Sequence, residues 1–192
     1  MEINSQTALM DNDFLDHLTE TQSTKEEIAE IVKKAFDGLR IYAAMHPLVY
    51  QKELMCTEKK AFLFSQQVIR AASFDDIFHG NEEIKRYYCI LIPELFKKLT
   101  GSELEVEGLD VLTYWKRMLS LGEIHSMATC LICECGIFLS DDHDSKYLKK
   151  IIEEEFVATI AVYNRKEFVA NLPQGVLTRS EKRSISHEVI HR

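Results

Sequence analysis

The chain has 192 residues, of which 46% are hydrophobic and 28% charged, enough apolar material for one domain with a true core. A net charge of −8 and a pI near 5.4 argue against a protein that grips nucleic acid through a broad basic face. No apolar run reaches the length of a membrane span, and MEINSQTALMDND lacks the basic and apolar regions of a signal peptide. With Cys56, Cys89, Cys130, Cys133 and Cys135 then expected as reduced thiols, the chain reads as cytoplasmic, with no membrane partner.

TALM (7–10) reads as a buried strand whose carboxyl end meets Asp11. STKEEIAEIVKKAF follows as a helix, with Ser23 or Thr24 as N-cap and Ile28, Ile31, Val32 and Ala35 as its apolar stripe. RIYAA (40–44) is a second strand, and His46-Pro47 opens a helix that carries Glu53. TEKKAFLFSQQVIRAA repeats the pattern of cap and stripe, FDDIF reads as a short strand, and residues 80–100 form a helix stopped by Gly101. EGLDVLTYWKRMLSLG is expected to be helical, as is EIHSMATCLICEC up to Gly136. IFLS makes a strand, DSKYLKKIIEEEF a helix capped by Asp144, and VATIAVY the last strand.

Strands alternating with helices predict an α/β fold, a parallel sheet sandwiched by helices in three α/β/α layers. One domain is expected over 1–172, with a helical elaboration at roughly 57–120 and a basic tail over 173–192. In that tail Arg179, Lys182, Arg183 and Arg192 outnumber Glu181 and Glu188, with His187 and His191 nearby. It reads either as a phosphate-contacting element or, more simply, as a solvated terminus.

Acids stand at four stations: Asp11, Glu53, Glu123 and the pair Asp141–Asp142. Asp11 and the pair follow strands, so both emerge at the carboxyl edge of a parallel sheet, where functional groups collect. Glu123 opens the helix that runs back before IFLS, and so begins at the same edge. Glu53 gets there only if its helix bends over that edge. Carboxylates gathered in this way repel one another unless a cation sits among them, which points to Mg²⁺ or Mn²⁺. The chemistry implied is metal-assisted attack of water on a phosphodiester, and a low net charge does not exclude it, because bound cations reverse the local sign.

In ALMDNDFLDHL, LVYQKEL, Gly122-Glu123 and FLSDD the chain resembles the PIN-domain nucleases over roughly residues 7–163. The resemblance puts Asp11 at the first catalytic position and Asp13 at the accessory polar one. Glu53 takes the second, Glu123 the third and Asp142 the fourth, with Asp141 as the alternative and Ser140 as a hydroxyl partner. Asn12 departs from the small or hydroxyl residue usual in that family, and the segment 57–120 is longer and more helical than in its compact members. The resemblance implies a Mg²⁺- or Mn²⁺-dependent endoribonuclease acting on single-stranded or structured RNA, as a toxin with an antitoxin partner or as a defence nuclease. It also implies a homodimer. The competing expectation is a non-catalytic PIN-like module that binds another protein.

Other chemistry-bearing residues read as structural. Cys130, Cys133 and Cys135 lie inside a helical pattern without a knuckle turn or fourth ligand, which argues against zinc. His187 and His191 read as an incidental pair. Trp115, Tyr87, Tyr88 and Tyr114 are expected in the core or at an interface, since no basic frame surrounds them in the sequence.

Overall fold

The computed structural model describes residues 3–116 and 120–186. Among them, five short strands form one parallel sheet: β1 (Thr7–Met10), β2 (Tyr42–Met45), β3 (Ile69–Ala71), β4 (Ile137–Leu139) and β5 (Ala161–Tyr163). Their order across the sheet is β3-β2-β1-β4-β5. The chain therefore builds outward from β1 in one direction, then returns to the other side of β1 with β4 and β5.

Ten helices surround the sheet among the described residues. They are α1 (Asn12–Thr19), α2 (Lys25–Leu39), α3 (Pro47–Lys52), α4 (Glu58–Ser65) and α5 (Phe74–Phe78), then α6 (Glu82–Thr100), α7 (Leu121–Ile132), α8 (His143–Glu155), α9 (Arg165–Asn171) and α10 (Arg179–Ser186). None is long and apolar enough to cross a membrane. Successive strand side chains point to opposite faces, and the core divides accordingly. Ala8, Met10, Ala43 and Met45 pack with α1, α2, α9 and α10 on one face. Leu9, Ala44, Phe138 and Val162 pack with α5, α6, α7 and α8 on the other. This is the three-layer α/β/α arrangement expected from the alternation of elements.

Three expectations are corrected. The segment TEKKAFLFSQQVIRAA is not one helix: α4 closes at Ser65, Gln67 turns the chain through a left-handed φ of 54°, and β3 follows. Val68 and Ile69 are β-branched and favour the extended chain. The sheet's edge strand thus lies inside the stretch read as a helical elaboration, and α4 packs beside α2, so this part of 57–120 belongs to the main body. FDDIF is helical as α5, because Ser73 accepts from Asp76 N–H while Asp76 bonds back to Ser73 N–H, a reciprocal cap. Among the described residues of EGLDVLTYWKRMLSLG, a short 3-10 helix forms at Gly108–Leu112, an irregular stretch runs on to Lys116, and Leu121 and Gly122 already belong to α7. Arg117, Met118 and Leu119 lie outside the described residues.

Elsewhere, Thr24 rather than Ser23 caps α2, again reciprocally with Glu27. α7 stops at Ile132, so Cys133 is its C-cap and Cys135 lies beyond it. The segment read as a tail folds up to Ser186: α10 buries Ile185, and Glu181 pairs with Lys34 of α2 at 3.0 Å. His187, Glu188, His191 and Arg192 fall outside the described residues.

Phe168 of α9 is 2% exposed and packs its ring against Phe14 of α1 and Phe36 of α2, at centroid distances of 5.9 and 5.6 Å. Phe168→Ala is expected to cost about 3–5 kcal/mol in urea unfolding, since it empties the joint between three helices. A loss below about 1 kcal/mol would mean that this joint does not carry the packing of that face.

Candidate functional site

Where strand order reverses between β1 and β4, the loops leaving the two strands diverge and open a crevice at their carboxyl ends. Asp11 follows β1 directly, and its backbone N–H continues the ladder to Leu139 O at 3.0 Å. Ser140, Asp141 and Asp142 follow β4. Beside this crevice lies a cavity of about 850 Å³ lined by Asn12, Asp13, Asp16, Lys52, Glu53, Met55, Trp115, Lys116, Ser120, Leu121, Glu123 and Asp142.

The backbone tolerates so many acids here because helix starts converge on the crevice. Asp11 is the N-cap of α1, accepting from Phe14 N–H at 2.7 Å. Asp142 is the N-cap of α8, accepting from Asp144 N–H at 2.8 Å. Glu123 stands in the first turn of α7. Each carboxylate thus meets unsatisfied N–H groups and the positive end of a helix dipole. Asp144 is not the cap of α8; it accepts from Ser120 Oγ at 2.7 Å. Ser120 holds a left-handed φ of 48° and spends its hydroxyl on that contact, which leaves α7 without a side-chain cap.

Glu53 differs in kind. It is the C-cap of α3, at the helix end that gives a negative charge no dipole support. It reaches the cavity because α3 is only six residues long and because residue 122 is glycine. A Cβ on Gly122 would lie 2.5 Å from Glu53 Oε1 and 3.1 Å from its Cδ. The Gly122-Glu123 pair therefore has a physical meaning: the glycine makes room for one acid beside the next.

Burial is the main cause of the pKa shifts, with mutual repulsion adding to it. The Glu53 carboxyl is pushed up to about 8 by burial and then by Glu123, Asp13 and Asp142. Glu123 is pushed up to about 7, first by burial, with its own backbone N–H opposing and Asp142, Asp13 and Asp144 adding. Asp13 is raised by burial and then by Asp142, with His17 opposing. Asp11, 2% exposed, is held well above the usual carboxylate range by burial, against the lowering effects of the Ser140 hydroxyl and Phe14 N–H. Glu123 and Asp13 act on it in the raising direction. No donor among the described residues lies within hydrogen-bonding geometry of Asp11 Oδ2.

Adjacent aspartates take separate duties. Asp141 accepts from Arg165 N–H at 3.0 Å and from Arg165 Nε at 2.5 Å, and lies 2.9 Å from His17 Nδ1. It ties the end of β4 to the start of α9. Asp142, not Asp141, lines the cavity, which separates the two candidates left open by the sequence. Ser140 is buried and accepts from Asp142 N–H and Ser145 Oγ, bracing the loop. Asp16 is joined by an ion pair to the buried Lys60, so one acid of the cavity carries its own cation.

A buried polar chain fixes the two helices that present Glu53 and Glu123. His46, the N-cap of α3, accepts from Leu48 N–H on Nδ1 at 3.2 Å, so its proton sits on Nε2. That nitrogen lies 3.0 Å from Tyr88 Oη of α6, and Tyr88 Oη lies 2.6 Å from His125 Nδ1 of α7. The tyrosine accepts from His46 and donates to His125. Burial drives His125 down to about 3 and His46 well below its usual value, so both are neutral. Nothing in the sequence spacing signals this chain, because its members lie on three separate elements. Trp115 with Lys52 and Lys116 was likewise hidden, since the aromatic and one lysine meet only across the cavity.

The donors are all hard oxygens, and the unpaired Asp11 Oδ2 together with the raised acids fits a small divalent cation in chemistry. In spacing, however, no three His, Cys, Asp or Glu side chains among the described residues are close enough to hold a metal ion. Asp13, Glu53, Glu123 and Asp142 border one cavity, Asp11 and Asp141 are not among its lining residues, and the set does not form a closed cage. Mg²⁺ commonly takes only one or two carboxylates and keeps several waters, so such a border is compatible with it.

Two outcomes test this geometry. Glu53 has a folded pKa above its unfolded value, so it favours folding fully below about pH 4.5 and loses that contribution as pH rises towards 8. Glu53→Gln is therefore expected to match the wild type in melting temperature near pH 5 and to exceed it increasingly towards pH 9, in chelator. A pH-independent difference would show that Glu53 is not in this environment. Tyr88→Phe leaves two buried imidazole nitrogens without partners, and is expected to destabilise by about 1–3 kcal/mol in chemical denaturation.

No protein-family model matches the chain, and no curated protein and no solved structure matches it either.

Proposed function

We propose that the protein is a Mg²⁺- or Mn²⁺-dependent nuclease of PIN type, with RNA as its expected substrate. The observation that carries this reading is the buried Asp11, whose Oδ2 has no donor among the described residues, beside a cavity lined by Asp13, Glu53, Glu123 and Asp142. Support also comes from the order of the acids along the chain and from the sheet order, which brings the ends of β1 and β4 side by side. Asp11, Glu123 and Asp142, each at a helix start, are the acids of which one or two would hold the ion, with waters completing its shell. A bound divalent ion supplies a lowered water pKa and stabilisation of the leaving oxygen.

The protein's own groups have separable tasks. Asp142 receives the Asp144 N–H and is fixed in place by its cap geometry. Ser140 braces the loop from beneath, and Asp141 is committed to Arg165, so neither replaces Asp142 at the cavity. Glu53, with a pKa near 8, retains its proton at neutral pH in the absence of a cation. In that form the carboxyl is a hydrogen-bond donor as well as an acceptor.

The second reading, a non-catalytic module of the same fold, is favoured by one observation: among the described residues, no three acids stand within reach of one ion. Metal response separates the two. Under the nuclease reading, Mn²⁺ raises the melting temperature because it relieves the repulsion, and Asp11→Asn abolishes both the rise and the cleavage of single-stranded RNA. If Mn²⁺ leaves the melting curve unchanged and no RNA in a mixed-sequence panel is cut, the binding-module reading stands instead.

A further inference from the structure

A cavity lined with carboxylates repels the polyanion that a nuclease has to bring to it, so a phosphodiester strand needs its own attachment nearby. The mouth of this cavity carries three residues of the right kind. Lys52 is exposed at the end of α3, and Lys116 is exposed at the end of the irregular stretch after the 3-10 helix. Both line the cavity, and neither forms an ion pair among the described residues. The other lysine near this site, Lys60, is buried against Asp16 and is not available for a ligand. Trp115 is half-buried, packs on the core under α5 to α8, and is the one aromatic side chain that lines the cavity among the described residues.

We propose that Trp115, Lys52 and Lys116 form a subsite for one unpaired base and its flanking phosphates, which leads a single nucleic-acid strand to the acidic cavity. The proposal rests on the nuclease reading for what happens to the strand, but binding at the subsite does not require the ion. Two ammonium groups without an ion pair among the described residues supply point charges for successive phosphates, and among those residues they are the uncompensated positive charge that the cavity lining sets against the acids. The indole supplies an apolar plane anchored on the core, the surface on which a base stacks irrespective of its identity. In a duplex the bases already stack on each other, and one can be laid on an indole only after it is extruded at a cost. The subsite therefore selects unpaired strands, with little preference for sequence.

Trp115 is the single tryptophan of the chain, so its fluorescence reports on the subsite alone. The test is a titration of the full chain, in chelator and at low salt, with a short adenosine-rich single-stranded RNA and with the same RNA annealed to its complement. Saturable quenching by the single strand, with none by the duplex over the same range, is expected. Lys52→Ala and Lys116→Ala keep the reporter, and each is expected to reduce the slope of log affinity against log salt by about 0.7. Trp115→Ala, followed by anisotropy of a labelled strand, is expected to weaken binding about 5- to 150-fold. Equal quenching by duplex and single strand, or unchanged salt slopes in both lysine variants, would overturn the subsite even if Trp115→Ala proved unfolded. Quenching with the expected salt slopes but no Mn²⁺ response or cleavage supports the subsite and removes the nuclease reading. Mn²⁺-dependent cleavage with an unchanged KM in Trp115→Ala removes the subsite and keeps the nuclease.

Discussion

The crevice beside β1 and β4 has to hold several carboxylates whose charged forms are disfavoured both by burial and by one another. Much of the surrounding structure is arranged to make that tolerable. Three of the acids sit at helix starts, where free N–H groups meet them, and Asp16 is joined to the buried Lys60. Even so, Asp11 and Asp13 remain raised, and Glu53 and Glu123 are pushed up to about 8 and about 7. The repulsion is thus shared unequally, and a cation or a proton has somewhere definite to go.

Holding such groups in place demands rigidity behind them. The His46–Tyr88–His125 chain links the start of α3, the middle of α6 and the second turn of α7 with polar contacts of 3.0 and 2.6 Å. Aromatic packing of Phe78 on Tyr88 and of Phe74 on His46 surrounds it with core. Glu53 and Glu123 extend from the two outer members of this assembly. Tyr88 of α6 bridges the two histidines, so the longest helix supports the geometry of the cavity without lining it.

The layered fold was legible in the sequence because strands and helices alternate, and because β1, β2, β4 and β5 are apolar runs bounded by polar residues. β3 was not: three residues of strand were absorbed by the helical periodicity of α4, and only the left-handed turn at Gln67 divides them. α5 was misread because FDDIF is apolar at its ends, although Ser73 and Asp76 carry a capping signal in plain view. At the site, Asp11 and Asp142 could be placed by topology, since both follow strands. The approach of Glu53 depends on the missing side chain at Gly122; the Gly122-Glu123 pair was legible in the sequence, but that Glu53 fills the space beside the glycine was not. Trp115 reads as core in one dimension and lines the cavity in three.

Asp141 and Asp142 are chemically identical neighbours just beyond β4, and one meets Arg165 while the other lines the cavity. A slip of β4 by one residue towards the carboxyl edge would put Asp141 in the place of Asp142 and Ser140 in the place of Asp141. It would strand the largely buried guanidinium of Arg165, which pairs with Asp141 in the native register. Correct strand register and correct presentation of the acid are therefore one condition. A misaligned sheet in this protein announces itself as an unpaired buried charge, and the doubled aspartate acts as a check on how the last third of the chain assembles.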